Sequence, residues 1–171
     1  MMQISSRSPQ EDLLNWLNNA YAMELALQEA LKGHAGEARQ LPHVRERMER
    51  HVNETREHGN RLKNAIESLG GSVSNTKALL GEVFGRFNSL TTALANDKLV
   101  KNILADYAAE QFEIACYTSL IAGAEELGLF QVAEVCRQNL AEEKAMAAWL
   151  EEQIPELTRH FLRGHAARAA A

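Results

Sequence analysis

Six side chains carry the chemistry open to this sequence: Glu24, Glu54, His58, Glu110, Glu113 and Glu143. The densest stretch is 51–58, His-Val-Asn-Glu-Thr-Arg-Glu-His, where an otherwise apolar helical stripe (Val44, Met48, His51, Thr55, His58, Leu62) turns polar for two turns. Glu24, Glu54, Glu110 and Glu143 lie on or beside inward stripes of four different segments, each near the middle of its helix. A carboxylate withdrawn from water needs a proton, a counter-ion or a metal. If four converge at one level, two divalent ions would cancel their charge, with glutamates bridging. Mixed carboxylate and imidazole donors suit iron first, with manganese and zinc also admitted.

His58 follows Glu54 by one turn on the same face, so both are expected to reach one ion. His51 lies one turn before Glu54, as a ligand or an outer donor. Glu113 shares a face with Glu110 at i, i+3 and is expected as an extra ligand. Glu57 and Glu142 are expected in solvent. Tyr21 and Tyr107, one turn before Glu24 and Glu110, are placed to hydrogen-bond carboxylates across the core. The bland alternative is that each glutamate sits at its stripe's edge and reaches water. His34, His43, His160 and His165 show no partner in the pattern and are expected on the surface. Trp16 and Trp149 are expected to seal bundle ends or a subunit contact.

The elements that must position these groups are helices. Ser8-Pro9-Gln10-Glu11 is a capping box with proline in the first turn. The stripe Leu13, Leu17, Ala20, Glu24, Leu27, Leu31 follows, with Gly33 and Gly36 as its end or bend. A second helix is expected from near Pro42 to Gly70-Gly71. A connection covers 72–96, with a short helix over 76–94. A third helix, capped by Asn96 or Asp97, runs to about Leu127 with Gly128 as its stop. Its stripe reads Ile103, Tyr107, Glu110, Ile114, Tyr117, Ile121. The fourth runs from about Phe130 to Gln153, before Pro155, with the stripe Ala133, Cys136, Leu140, Glu143, Ala147, Leu150. Strand-like alternation is absent. The expected fold is all-α: a four-helix bundle of two antiparallel hairpins joined by a long crossover, over residues 8–155, with a tail over 156–171. Tyr21-Ala22-Met23-Glu24 is echoed by Tyr107-Ala108-Ala109-Glu110, as a duplicated hairpin would give.

The chain has 171 residues, 46% hydrophobic and 24% charged, enough for one domain with a sizeable core. A net charge of −5 with scattered basic residues argues against a broad nucleic-acid face. Cys116 and Cys136 sit at apolar helix positions and are expected as reduced core residues of a cytoplasmic protein. No apolar run approaches the ~18 residues of a membrane span, and the N-terminus lacks a signal-type apolar run.

Tyr21-x-x-Glu24, His51-x-x-Glu54-Thr55-x-x-His58 through Arg61-Leu62, the run 109–117 (Ala-Glu-Gln-Phe-Glu-Ile-Ala-Cys-Tyr) and Leu140-x-Glu142-Glu143-Lys144 together resemble the ferritin-like carboxylate bundles. More narrowly, they resemble the YciE/YciF type of bacterial stress-associated ferritin-like proteins. The resemblance covers residues 11–155. It implies a four-helix bundle with a dinuclear metal site, a stress-related role and a homodimer. There are departures: Glu54 is followed at i+3 by Glu57, with His58 one place further, and Glu143 is followed one turn on by Met146 and Ala147 rather than a histidine. One metal position is therefore expected to be poorer in ligands than the other. The expected function is a dinuclear-metal protein that handles peroxide or oxygen. The rival is a non-catalytic stress-induced structural or interaction bundle with a vestigial or single-metal site. Iron storage in a cage is a third reading.

Overall fold

The structure, a computed structural model, describes residues 7–73 and 98–169. Four helices make up the described chain: α1 (Pro9–Glu37), α2 (Pro42–Ser68), α3 (Lys98–Glu126) and α4 (Phe130–Ala169). The fold is the all-α bundle that the hydrophobic periods require. The expected short helix over 76–94 and the caps at Asn96 or Asp97 lie outside the described residues.

Helix ends follow local chemistry. Ser8 Oγ accepts from Glu11 N at 3.2 Å, and Glu11 Oε2 accepts from Ser8 N at 2.7 Å, closing the capping box. Gly70 (φ 77°) and Gly128 (φ 69°) take the left-handed conformation just past α2 and α3, where a side chain would be strained. Gly33 does not stop α1, which runs on to Glu37.

α1 packs along α2, and α3 along α4; α1 also meets α3, and α2 meets α4, while the diagonal backbones stay apart and their side chains meet where His51 of α2 reaches Glu110 of α3. Leu13 of α1 lies by Gly123 of α3, and Glu37 binds Lys98 and Asn102 near the start of α3. Neighbouring helices are therefore antiparallel. α2 ends beside Leu14, near Gly71, whereas α3 begins beside Glu37. The end of α2 and the start of α3 therefore lie at opposite ends of the bundle.

Two apolar clusters fill the interior. One gathers Leu13, Leu17, Met23, Leu62, Ile66, Tyr117, Leu120 and Cys136; the other gathers Leu31, Val44, Met48, Ile103, Met146, Leu150 and Leu157. Cys116 and Cys136 are free thiols. Among the described residues no helix is long and apolar enough to cross a membrane.

α4 does not end at Gln153. It continues through Pro155 to Ala169. Proline inside a helix removes one backbone hydrogen bond and crowds the preceding turn, at a cost of about 3 kcal/mol. Burial of Leu157, 2% exposed in the second cluster, opposes that cost. Leu157→Ala is expected to lower the unfolding free energy by about 2–4 kcal/mol, read by urea denaturation.

The inward face of α3 is rotated from the expected stripe. Asp106, Glu110, Glu113, Tyr117, Leu120 and Ala124 are buried, while Tyr107 and Ile121 pack only partly against the clusters. In α4, Asn139 rather than Leu140 is fully enclosed.

Candidate metal centre

Between the two apolar clusters lies a polar layer contributed by all four helices: Glu24 from α1, His51, Thr55 and His58 from α2, Glu110 and Glu113 from α3, and Asn139 and Glu143 from α4. Each is at most 2% exposed. In α1, α2 and α3 these residues sit about the middle of the helix, while Asn139 and Glu143 fall in the first half of the longer α4.

Two groups of three form within this layer. Glu24, His58 and Glu143 offer ligand atoms that all lie within 4.8 Å of one another, and so do His51, Glu110 and Glu143. Glu143 is common to both. His58 Nδ1 lies 2.7 Å from Glu143 Oε1 and 3.4 Å from Glu24 Oε2. His51 Nε2 lies 3.1 Å from Glu110 Oε1 and 3.5 Å from Glu143 Oε2.

These atoms are close without being used up. Glu24 Oε2, His58 Nδ1, Glu110 Oε2, Glu113 Oε1 and both oxygens of Glu143 are buried and lack a hydrogen-bond partner of suitable alignment. Buried polar atoms are ordinarily satisfied. Lone pairs that converge on a shared point, rather than on each other's protons, are what a cation needs. The donor set of carboxylate oxygens and imidazole nitrogens, without thiolate, fits iron, manganese or zinc.

The outer ring nitrogens are held in turn. Glu54 Oε2 accepts from His51 Nδ1 at 2.8 Å and from Arg47 Nη1 at 3.0 Å. Glu142 Oε2 meets His58 Nε2 at 2.7 Å, and Arg61 grips Glu142 at 3.0 and 3.2 Å. Each imidazole is thus fixed between an inner carboxylate and an arginine-held outer one, which sets its tautomer and plane. The Tyr117 hydroxyl donates to Glu24 Oε1 and accepts from Asn139 Nδ2.

Electrostatics of the metal-free layer favour bound protons. Burial alone would push His51 down, but Glu110 and Glu54 outweigh it and raise it to about 10. Burial likewise opposes protonation of His58, yet Glu143 and Glu24 raise it to about 11. Burial pushes Glu110 and Glu113 well above the usual carboxylate range, with Glu143 adding repulsion. Glu24 is raised by the same burial. Glu143 goes the other way: burial would raise it, but His58 and Glu110 hold it down.

Of the six expected ligands, Glu24, His58, Glu110 and Glu143 come together. Glu113 is buried beside them but belongs to neither group. Glu54 stands outside both. It lies at the flank of the α2 stripe, 27% exposed, and is held near a pKa of about 2 by His51 and Arg47. His51 takes the inward place instead. The expected ligand-poor position does not appear, because α2 supplies both imidazoles and each group has one histidine and two carboxylates. Glu142 is not merely solvated but clamps His58. Tyr117, not Tyr21 or Tyr107, is the tyrosine that bonds a carboxylate of the layer. His34 is not free on the surface: its Nδ1 lies 2.7 Å from Oδ1 of buried Asp106. Trp16 is half exposed, and Trp149 packs at the second cluster with Arg47 over its ring, 6.0 Å from the centroid.

The sequence profile of one family, described as "Domain of unknown function (DUF892)", matches residues 8–163. The chain belongs to the DUF892 family. Solved structures similar to this DUF892 chain include a protein of Xanthomonas campestris pv. campestris at 28% identity and a TM-score of 0.80, covering 93% of this chain and 99% of that one. YcfI of Rhodopseudomonas palustris is similar at 27% identity and a TM-score of 0.73, covering 88% and 98%. The E. coli stress protein YciF, at 23% identity, a TM-score of 0.76 and coverage of 90% and 98%, shares the fold. The ferritin-like architecture of the YciE/YciF type expected from the motifs is therefore the architecture found.

Proposed function

We propose that this chain binds two divalent metal ions, iron or manganese first, and uses them in handling peroxide or oxygen under stress. The observation that carries the reading is the pair of buried three-residue groups joined through Glu143, with six donor atoms of the layer left unsatisfied. One position would be held by Glu24, His58 and Glu143, and the other by His51, Glu110 and Glu143. Glu113 stands beside them as a reserve carboxylate. Three protein ligands per ion leave coordination sites open, and redox-active metals there would supply electron transfer to a small oxidant. The protein's own part is to hold the imidazoles between paired carboxylates and to keep the layer dry between two apolar clusters. The homodimer and cytoplasmic setting that the resemblance and the reduced cysteines suggest belong to the same proposal.

The test is metal analysis of freshly purified protein, followed by titration of the metal-free form with Fe(II) and Mn(II) and an assay of peroxide consumption. Two ions per chain are expected. A protein that contains no iron, manganese or zinc and takes up none would end this reading.

One observation favours the non-catalytic alternative. His51 and His58, raised to about 10 and 11, can neutralise the layer as cations with no metal at all. That alternative expects equal thermal stability with and without added Fe(II).

A further inference from the structure

A single guanidinium on the flank of α2 reaches two of the inner side chains by separate routes. Arg61 Nη1 donates to Asn139 Oδ1 at 2.8 Å. Asn139 Nδ2 donates to the Tyr117 hydroxyl at 2.9 Å, and that hydroxyl donates to Glu24 Oε1. The second route runs through Glu142, which Arg61 grips at both oxygens, and on to His58 Nε2. Glu24 and His58 are two of the three members of one group. Arg61 touches neither, and its side chain remains 29% exposed. The other group is supported elsewhere: Arg47, stacked on Trp149, holds Glu54, which holds His51.

We propose that Arg61 is a positioning residue for the Glu24–His58–Glu143 metal position alone, acting through Asn139–Tyr117 on one arm and Glu142 on the other, while Arg47 serves the second position. The inference rests on the two-metal reading. Its physical basis is the planar fork of arginine, which serves a carboxylate at two points and an amide at a third. A lysine ammonium, a point charge on a flexible stem, cannot hold that geometry. Loosening Arg61 frees the His58 ring to turn and removes the fixed partner that orients Asn139 under Tyr117. Loss of such outer support typically weakens metal binding roughly 10- to 100-fold.

The experiment titrates metal-free wild type, Arg61→Gln, Arg61→Lys and Arg47→Gln with Co(II), following cobalt absorption and bound metal per chain. Wild type should take two ions. Arg61→Gln should keep one at wild-type affinity and weaken the other roughly 10- to 100-fold, with little rescue by Arg61→Lys. In double variants, Arg61→Gln should add nothing to Glu24→Ala, which already lacks that position, and should add its full effect to Glu110→Ala. Asn139→Leu, which cuts one arm only, carries the same test if Arg61→Gln fails to fold. Two ions bound by wild type and by Arg61→Gln at equal affinity would overturn the inference and leave the two-metal reading standing. Parallel weakening of both positions, the mark of a merely structural role, would also overturn it. No uptake by wild type would overturn both.

Discussion

Replacing Glu143 with alanine is expected to remove both metal ions at once, whereas Glu24→Ala and Glu110→Ala each remove one. Glu143 is the residue common to the two groups, its Oε1 beside His58 Nδ1 and its Oε2 beside His51 Nε2. Its loss leaves each position with a single carboxylate and one imidazole, too few to outbid water for a hard divalent ion. The affinity at each position should fall by more than roughly 100-fold, the upper range for losing only an outer-shell partner. The metal-free protein should suffer as well. Glu143 is the carboxylate of the layer that His58 holds in its charged form, and removing one partner of a buried pair leaves the other uncompensated. Glu143→Gln, which keeps the shape, separates the two effects: it should lose metal as fully as alanine but with less disturbance of packing. Bound metal per chain by elemental analysis decides the matter. A Glu143→Ala protein that still holds one tight ion would show that the positions do not share this ligand.

The architecture was legible because its signals are local. Ser8, Pro9 and Glu11 announce the start of α1, Gly70 and Gly128 announce the ends of α2 and α3, and the carboxylates stand out against apolar stripes. What could not be read was rotation. One residue along a helix is 100° around it, so the choice between Tyr107 and Asp106, or between Leu140 and Asn139, depends on how neighbouring helices press on both flanks. Hydrophobicity favoured Tyr107 and Leu140; packing turned Asp106 and Asn139 inward. The same ambiguity exchanged the roles of Glu54 and His51, three residues apart on α2. The pairing of Asp106 with His34 joins residues 72 positions apart and leaves no trace in any local spacing. Pro155 misled for a different reason: a helix-breaking residue was overridden by the burial of Leu157 two places on.

The stability of the metal-free protein should fall as pH rises above neutrality, and added metal should reverse the trend. His51 and His58 are raised in the folded protein from 6.5 to about 10 and about 11. A group with a raised folded value binds its proton more tightly when folded. Its stabilising contribution is therefore complete below about 6.5, and it drains away as pH climbs towards 10 and 11. Glu24, Glu110 and Glu113, raised by burial, act in the same sense because they too hold protons more tightly in the fold. In EDTA the melting temperature should drop by at least ~5 °C between pH 6.5 and pH 9.5, for a loss of about 2 kcal/mol or more. A divalent cation replaces those protons, so binding releases them and tightens as pH rises. With Zn(II), which brings no redox chemistry, the melting temperature should hold or climb over the same interval, and the gap between the two curves should widen with pH. His51→Gln and His58→Gln, measured in EDTA, should each flatten the decline. A flat profile for the wild-type protein in EDTA would mean that the buried imidazoles carry no extra proton. The layer's charge would then have to be balanced by some means other than competition between protons and metal.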